Sequence, residues 1–175
     1  KENVLELQRE IIEGISKDYF SVLLVDLENG QIYSYREAGS NGKRIADFCR
    51  TYHDRWTELL PAYAKDLVSD ASRDGFLEVL SFEKLKSCNE DYSFTYEYMS
   101  DEGALYYQAR VSYVKKKDRT RAVVIGTRDI DDLIKKERLQ KEQLRKAYIQ
   151  AENASKAKTN FLNNMSHDIR TPMNV

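Results

Sequence analysis

The chain has 175 residues, with 41% hydrophobic and 33% charged side chains and a mean hydropathy of -0.68, which suffices for one core with long solvated extensions. Its 28 Lys and Arg nearly cancel 29 Asp and Glu, so no global field draws it to nucleic acid or to an anionic membrane. Cys49 and Cys88 form neither a CxxC pair nor a metal-ligand set and read as free thiols in a reducing cytoplasm, and no apolar run approaches the ~20 residues of a spanning helix.

The first residue is Lys1 rather than Met, so the sequence reads as a piece of a longer cytoplasmic protein, with room for an upstream membrane anchor. Residues 1–17 place Val4, Leu7, Ile11 and Ile15 three or four apart, which predicts a helix, weakened at Gly14. That helix is a cap on the following domain or the tail of a longer upstream helix. Tyr19 to Leu27 is a short, nearly continuous apolar run and predicts a central strand. Glu28-Asn29-Gly30 carries the Asn-Gly signal of a tight hairpin with two positive-φ positions, and Gln31 to Glu37 is its partner strand.

From Gly42 to about Cys88 the period becomes helical. Ile45, Phe48, Cys49 and Tyr52 share one face, and Trp56, Leu59, Leu60, Tyr63 and Leu67 share another. Pro61 interrupts the second set and predicts a helix that ends before it or begins at it. Phe76, Leu77, Leu80 and Leu85 predict one or two short helices, broken around Ser81. Three strands follow. Tyr92, Phe94, Tyr96 and Tyr98 alternate with polar residues, Ser100 to Gly103 turns the chain, and Leu105, Tyr107, Ala109, Val111 and Tyr113 repeat the alternation. Lys115 to Arg121 is a polar turn and Ala122 to Ile130 the last strand.

The order strand–strand, helices, strand–strand–strand resembles a PAS domain, an α+β fold whose five-stranded antiparallel sheet carries helices on one face. Ile125-Gly-Thr-Arg-Asp-Ile130 resembles the end of a PAS core, where an Asp, here Asp129, joins the last strand to an exiting helix. The resemblance implies a sensor domain over residues 18–130 with an unidentified small-molecule ligand. His53, between Tyr52 and Asp54, reads as a surface or cap histidine rather than the haem ligand of some PAS domains. Cys49-Arg50 lacks the Asn that precedes the flavin-bonding Cys of light-sensing relatives, so Cys49 reads as a small buried thiol. The strand tyrosines line a pocket under the helices or are ordinary core.

Residues 131–160 contain no Gly or Pro and are rich in Lys, Glu, Gln and Ala. Leu133, Glu137, Lys141, Leu144, Tyr148, Ala151, Ser155, Lys158, Leu162, Met165 and Ile169 step by three and four. The pattern predicts a long coiled-coil linker helix with a weak, partly polar seam. Over residues 161–175, at about 100° per residue, Phe161, Leu162, Met165, Ile169, Pro172 and Met173 fall roughly 120–160° away from His167. Thr171 shares the histidine's face one turn along, and Asp168 is its neighbour. A proline at 172 predicts a bend beside the histidine.

Phe161-Leu-Asn-Asn-Met-Ser-His-Asp-Ile-Arg-Thr-Pro-Met-Asn174 resembles the H-box of sensor histidine kinases, in the dimerising, phosphoaccepting helix of the HisKA type. Asp168 stands where Glu is the commoner residue in that family, and both supply a carboxylate. The resemblance implies a truncated start of the phosphoacceptor hairpin in a two-component kinase that works as a parallel homodimer. His167 would accept the γ-phosphoryl group of ATP, Asp168 would orient the ring or accept its proton, and Thr171 would position water for the reverse phosphatase reaction. A response-regulator receiver aspartate would take the phosphoryl group onward, under control of the PAS input. Nothing here resembles a nucleotide site, so the fragment itself carries no cofactor and is inactive alone. ATP and magnesium are implied only for a separate catalytic domain. The alternative from another class is a non-enzymatic ligand-binding or dimerising PAS module whose carboxy-terminal coiled coil is a scaffold.

Overall fold

In the computed structural model, residue 14, residues 16–115 and residues 121–173 are described, so most of the expected amino-terminal helix and the polar turn at 116–120 lie outside the described residues. The apolar run predicted as a central strand is β1 (Ser21–Asp26). It pairs antiparallel with β2 (Ile32–Glu37) on one side and with β5 (Arg121–Asp129) on the other. β5 pairs with β4 (Gly103–Lys115), and β4 with β3 (Tyr92–Ser100), which gives the order β2-β1-β5-β4-β3.

The β1–β2 turn differs from the tight Asn-Gly form. Asp26 N–H donates to Gln31 O (2.9 Å) and Gly30 N–H donates to Asp26 O (2.8 Å), so the loop holds four residues. Gly30 is left-handed (φ 73°), whereas Asn29 is not. Side-chain acceptors explain the difference: Asp26 Oδ1 takes Glu28 N–H and Asn29 Oδ1 takes Gln31 N–H, each at 2.8 Å. Two Asx-type bonds close the loop, and one glycine then suffices.

Four helices connect β2 to β3: α1 (Gly39–Thr51), α2 (Trp56–Leu67), α3 (Asp70–Leu80) and α4 (Phe82–Ser87). α1 buries Gly42, Ile45, Ala46 and Cys49 at helical spacing. A Cβ at Gly42 would lie 2.2 Å from Phe20 O, so glycine is what lets this helix approach the start of β1. α2 runs through Pro61 rather than stopping there. The hydrogen bond a proline forfeits would have reached the carbonyl of Thr57, and both residues are on the solvent side, where water can take that carbonyl. The Arg73 guanidinium donates to the carbonyls of Ala64 (2.9 Å), Val68 (3.2 Å) and Lys65 (3.3 Å), satisfying the end of α2. Ser81 is extended between α3 and α4, and its Oγ accepts Lys84 N–H (3.2 Å) as an N-cap.

The core lies between these helices and the sheet face carrying Leu23, Val25, Tyr96, Tyr98, Tyr107, Ala109, Val111 and Ile125. Aromatic rings fill much of it. Tyr107 stacks on Tyr98 at 4.5 Å and meets Phe20 edge-on at 4.9 Å, and Phe76 lies between Tyr63 (5.6 Å) and Tyr96 (4.7 Å). Trp56 Nε1 donates to Leu80 O (2.9 Å), and the Tyr63 and Tyr96 hydroxyls meet at 3.0 Å, tying α2 to α3 and to β3. Beyond Asp131 the chain forms a second unit, whose described residues all lie in α5 (Asp131–Met173), one helix of 43 residues.

Burial raises both hydroxyls of the Tyr63–Tyr96 pair well above the ordinary tyrosine value. Replacing either tyrosine by Phe orphans its partner at about 1–3 kcal/mol, while the double replacement removes both groups and will cost less than the sum. Urea titration of the four proteins measures that coupling. Because the unfolded chain deprotonates first, stability from the pair is intact below pH ~10 and falls above it by about 1.4 kcal/mol per pH unit per tyrosine. The double Phe variant will flatten that alkaline slope.

Candidate functional site

α5 contains no Gly or Pro before Pro172, and good helix formers occupy most of its length. Ion pairs at helical spacing support it: Glu142 with Arg145 (3.3 Å) and Lys146 (3.9 Å), and Glu152 with Lys156 (3.1 Å). These exposed pairs add little individually. At 1.5 Å per residue the helix extends about 65 Å.

His167 projects from this helix with its side chain 81% exposed, and Asp168 beside it is 83% exposed. His167 Nδ1 stands 3.6 Å from Asp168 Oδ1, just beyond hydrogen-bond distance. Thr171 is one turn along and donates its hydroxyl to His167 O (3.0 Å), which turns the proton toward the helix and leaves the oxygen able to accept. The three residues expected to carry chemistry therefore lie together on an open helix surface. The helix runs on through Pro172 to Met173.

The seam residues Leu144, Tyr148, Ala151, Leu162, Met165 and Ile169 are exposed as well, together with Leu133, Leu139, Ile149 and Phe161. Leu144 is 72% and Ile169 57% exposed. Leu133, Leu144, Tyr148, Ala151, Leu162, Met165 and Ile169 fall on one side of this highly charged helix, with Leu139 and Ile149 outside that row.

The sheet-and-helix unit passes directly into α5. Asp129 Oδ1 accepts the N–H of Asp131 (2.8 Å), Asp131 Oδ1 accepts that of Tyr106 (3.3 Å), and Ile130 N–H donates to Tyr106 O (2.9 Å). An Asx bond thus turns β5 into the helix, and acidic groups sit at its positive end.

Under the helices, Tyr63, Tyr96, Trp56, Phe76, Leu23 and Thr127 help to line a cavity of about 40 Å³. That is far below the roughly 300–1,000 Å³ of an ordinary small-molecule pocket. The strand and helix aromatics thus pack as core. On the opposite side of the sheet a hollow of about 650 Å³ is lined by Ser16, Tyr19, Val22, Leu24, Tyr35, Arg110, Ser112, Val124 and Gly126. Sequence periodicity gave no sign of this hollow, because it requires knowing which strands are neighbours.

His53 is exposed, in the turn after α1, with Nδ1 3.3 Å from Glu58 Oε2. It and Asp54 are left-handed (φ 55° and 52°), a conformation His and Asp adopt more readily than most residues. Cys49 is buried, and desolvation with nearby Asp54 pushes its thiol up to about 12, which makes it unreactive. Among the described residues no group of three or more His, Cys, Asp or Glu side chains could hold a metal ion, and no helix is long and apolar enough to cross a membrane.

No protein-family model matches the sequence, and no curated protein matches it. Among solved structures the chain is similar to a sensory box histidine kinase/response regulator from Burkholderia thailandensis E264, at 15% identity and a TM-score of 0.47 over 78% of this chain and 97% of that one. It is also similar to a domain of the putative light and redox sensing histidine kinase from Haloarcula marismortui (11%, TM-score 0.44, 70% and 98%). A PAS domain from a two-component sensor histidine kinase gives 15%, a TM-score of 0.38, and coverage of 73% and 97%. The strand order β2-β1-β5-β4-β3, with four helices between β2 and β3 and a long helix after β5, makes the fold PAS-like α+β.

The cavity under the helices is too small for a tetrapyrrole or an isoalloxazine ring. Titration of the purified chain with haem or riboflavin phosphate will therefore leave the Soret band and the flavin fluorescence unshifted. A saturable shift at one equivalent would show that the helices open.

Proposed function

We propose that the chain is the sensory and phosphoacceptor part of a two-component sensor histidine kinase. The PAS-like unit receives the input, α5 carries it, and His167 is the phosphoryl acceptor. The observation that carries this reading is the ordered run Ser166-His167-Asp168-Ile169-Arg170-Thr171 on α5, with the imidazole in solvent and Leu162, Met165 and Ile169 exposed.

The chemistry asked of the site is positioning more than activation. An unprotonated imidazole nitrogen of His167 attacks the γ-phosphorus of ATP in line with the leaving oxygen. The N–P bond forms, the bond to the bridging oxygen breaks, and ADP leaves with the charge. Asp168 accepts a hydrogen bond or the proton from the ring once a small side-chain rotation closes the 3.6 Å gap, which keeps the other nitrogen nucleophilic. ATP and its magnesium ion belong to a catalytic domain outside this sequence. An aspartate of a response-regulator receiver would then take the phosphoryl group from nitrogen. In the reverse, hydrolytic direction the Thr171 oxygen would orient the attacking water.

The exposed seam calls for a second copy, packed in parallel so that Leu144, Tyr148, Ala151, Leu162, Met165 and Ile169 meet their equivalents. Burying a Leu or Ile side chain contributes roughly 1.5–3 kcal/mol, whereas Glu137, Lys141 and Lys158 in the same row contribute little. A seam of that mixed strength would let two registers lie close in free energy, so a modest input could shift the balance between them. The same seam would also serve a scaffold without chemistry, and the alternative of a non-enzymatic module rests on that point.

Incubating the chain with a separately prepared histidine-kinase ATP-binding domain and γ-labelled ATP separates the two. Acid-labile label on the wild-type chain, absent from His167→Gln, is the expected result. A dimeric wild-type chain that takes up no label, or a His167→Gln chain labelled equally, would contradict the proposal.

A further inference from the structure

Two arginines stand side by side on the face of the sheet turned away from the core. Tyr107, Ala109 and Val111 of β4 face the core, so Gln108 and Arg110 between them face outward. In register, Gln108 lies opposite Arg128 of β5, and Arg110 lies between Ser93 of β3 and Gly126 of β5. Directly paired residues share a face, and diagonal neighbours stand about 7–8 Å apart, within reach of long side chains. Arg110 and Arg128 are such a diagonal pair. Among the described residues neither forms an ion pair with a carboxylate.

The floor between them is an aromatic ring. A Cβ at Gly126 would meet the Tyr19 ring at 2.8 Å, so the missing side chain is what lets that ring lie against the strand. The Arg128 guanidinium stands over the same ring (5.9 Å), and its Nε donates to Gln108 Oε1 (2.8 Å). Gln108 thereby keeps its amide N–H groups for another partner, and Arg128 keeps its terminal ones. With Asp91, Tyr92 and Ser93 these residues line a polar hollow of about 410 Å³. The Tyr92 hydroxyl is already donated to Val79 O (2.6 Å), and Asp91 Oδ1 already accepts Tyr113 N–H (2.9 Å). What remains is mostly donors, which call for an acceptor.

Size and charge narrow the acceptor. The hollow falls within the roughly 300–1,000 Å³ of ordinary ligand pockets, so a bare oxyanion would leave most of it empty. A phosphate monoester carries about −1.5 to −2 charges near pH 7 and matches two guanidiniums, whereas one carboxylate would leave a guanidinium unmatched. Asp91 suits a hydroxyl of the ligand rather than a second anionic group.

We propose that this hollow binds the phosphate monoester of a small hydroxylated compound. The phosphate lies over the Tyr19 ring between Arg110 and Arg128, and Ser93 and Asp91 take hydroxyls of the ligand. Its use as an input site, separate from the cavity beneath the helices, rests on the sensory reading above, whereas the binding itself does not.

Isothermal titration calorimetry of the full chain with glycerol 3-phosphate and with glucose 6-phosphate is the test. At least one ester will bind saturably, at one equivalent per chain, and neither glycerol nor glucose will bind. Arg110→Gln and Arg128→Gln will each weaken binding about tenfold or more, with circular dichroism showing the fold intact. Saturable heat from neither ester would overturn the proposal, as would binding unchanged in both variants. Inorganic phosphate binding as tightly as the esters would reduce the site to an adventitious ion only, and succinate binding as tightly would overturn the choice of phosphate. No phosphoryl transfer enters the measurement, so a negative result leaves the reading of His167 standing.

Discussion

The pairing of β1 with β5 is the constraint on which the rest depends. Six register pairs, from Ser21↔Thr127 to Asp26↔Ala122, join strands about a hundred residues apart in the chain. Phe20 N–H extends the ladder to Thr127 O (3.0 Å), and Leu27 N–H donates to Arg121 O (3.0 Å). Without this pairing the sheet is two separate hairpin assemblies, and the helices between β2 and β3 have no continuous floor. Closing so long a loop is entropically costly and becomes favourable only when Leu23, Val25, Val123 and Ile125 are buried together.

The same strand that completes the sheet begins the path to the candidate site. Asp129 Oδ1 holds the N–H of Asp131, and Ile130 and Asp131 both bind Tyr106 on β4, so hydrogen bonds order the chain from the end of β5 through Asp131. The surface of α5 is charged on most sides, with a seam of apolar residues from Leu144 to Ile169 and His167 turned away from it.

Much of this was legible in the sequence because strand and helix periods differ. The alternation from Tyr92 to Tyr98 and from Leu105 to Tyr113 identified β3 and β4 with their inward faces, and the uninterrupted helical composition after Asp131 identified α5. Local signals failed where tertiary context or side-chain acceptors took over. Pro61 did not stop α2, because its lost bond faces water, and Asn29-Gly30 did not make a two-residue turn, because Asp26 and Asn29 took the free N–H groups themselves. The Tyr63–Tyr96 hydroxyl pair and the outer hollow depend on which elements become neighbours, and no single stretch of sequence encodes that. For the site, the order of residues around His167 could be read directly, whereas the turn of the Thr171 hydroxyl toward the His167 carbonyl could not.

The central claim is that the apolar row of α5 closes on a second copy while the histidine stays outside. Single cysteines at Leu162, Ile169 and Asp168, each in full-length Cys88→Ser protein, test it by mild oxidation followed by gel electrophoresis. Leu162→Cys and Ile169→Cys will give disulfide-linked dimers of like chains, and Asp168→Cys will stay largely unlinked. Equal linking at Asp168, or none at either seam position, would contradict the account.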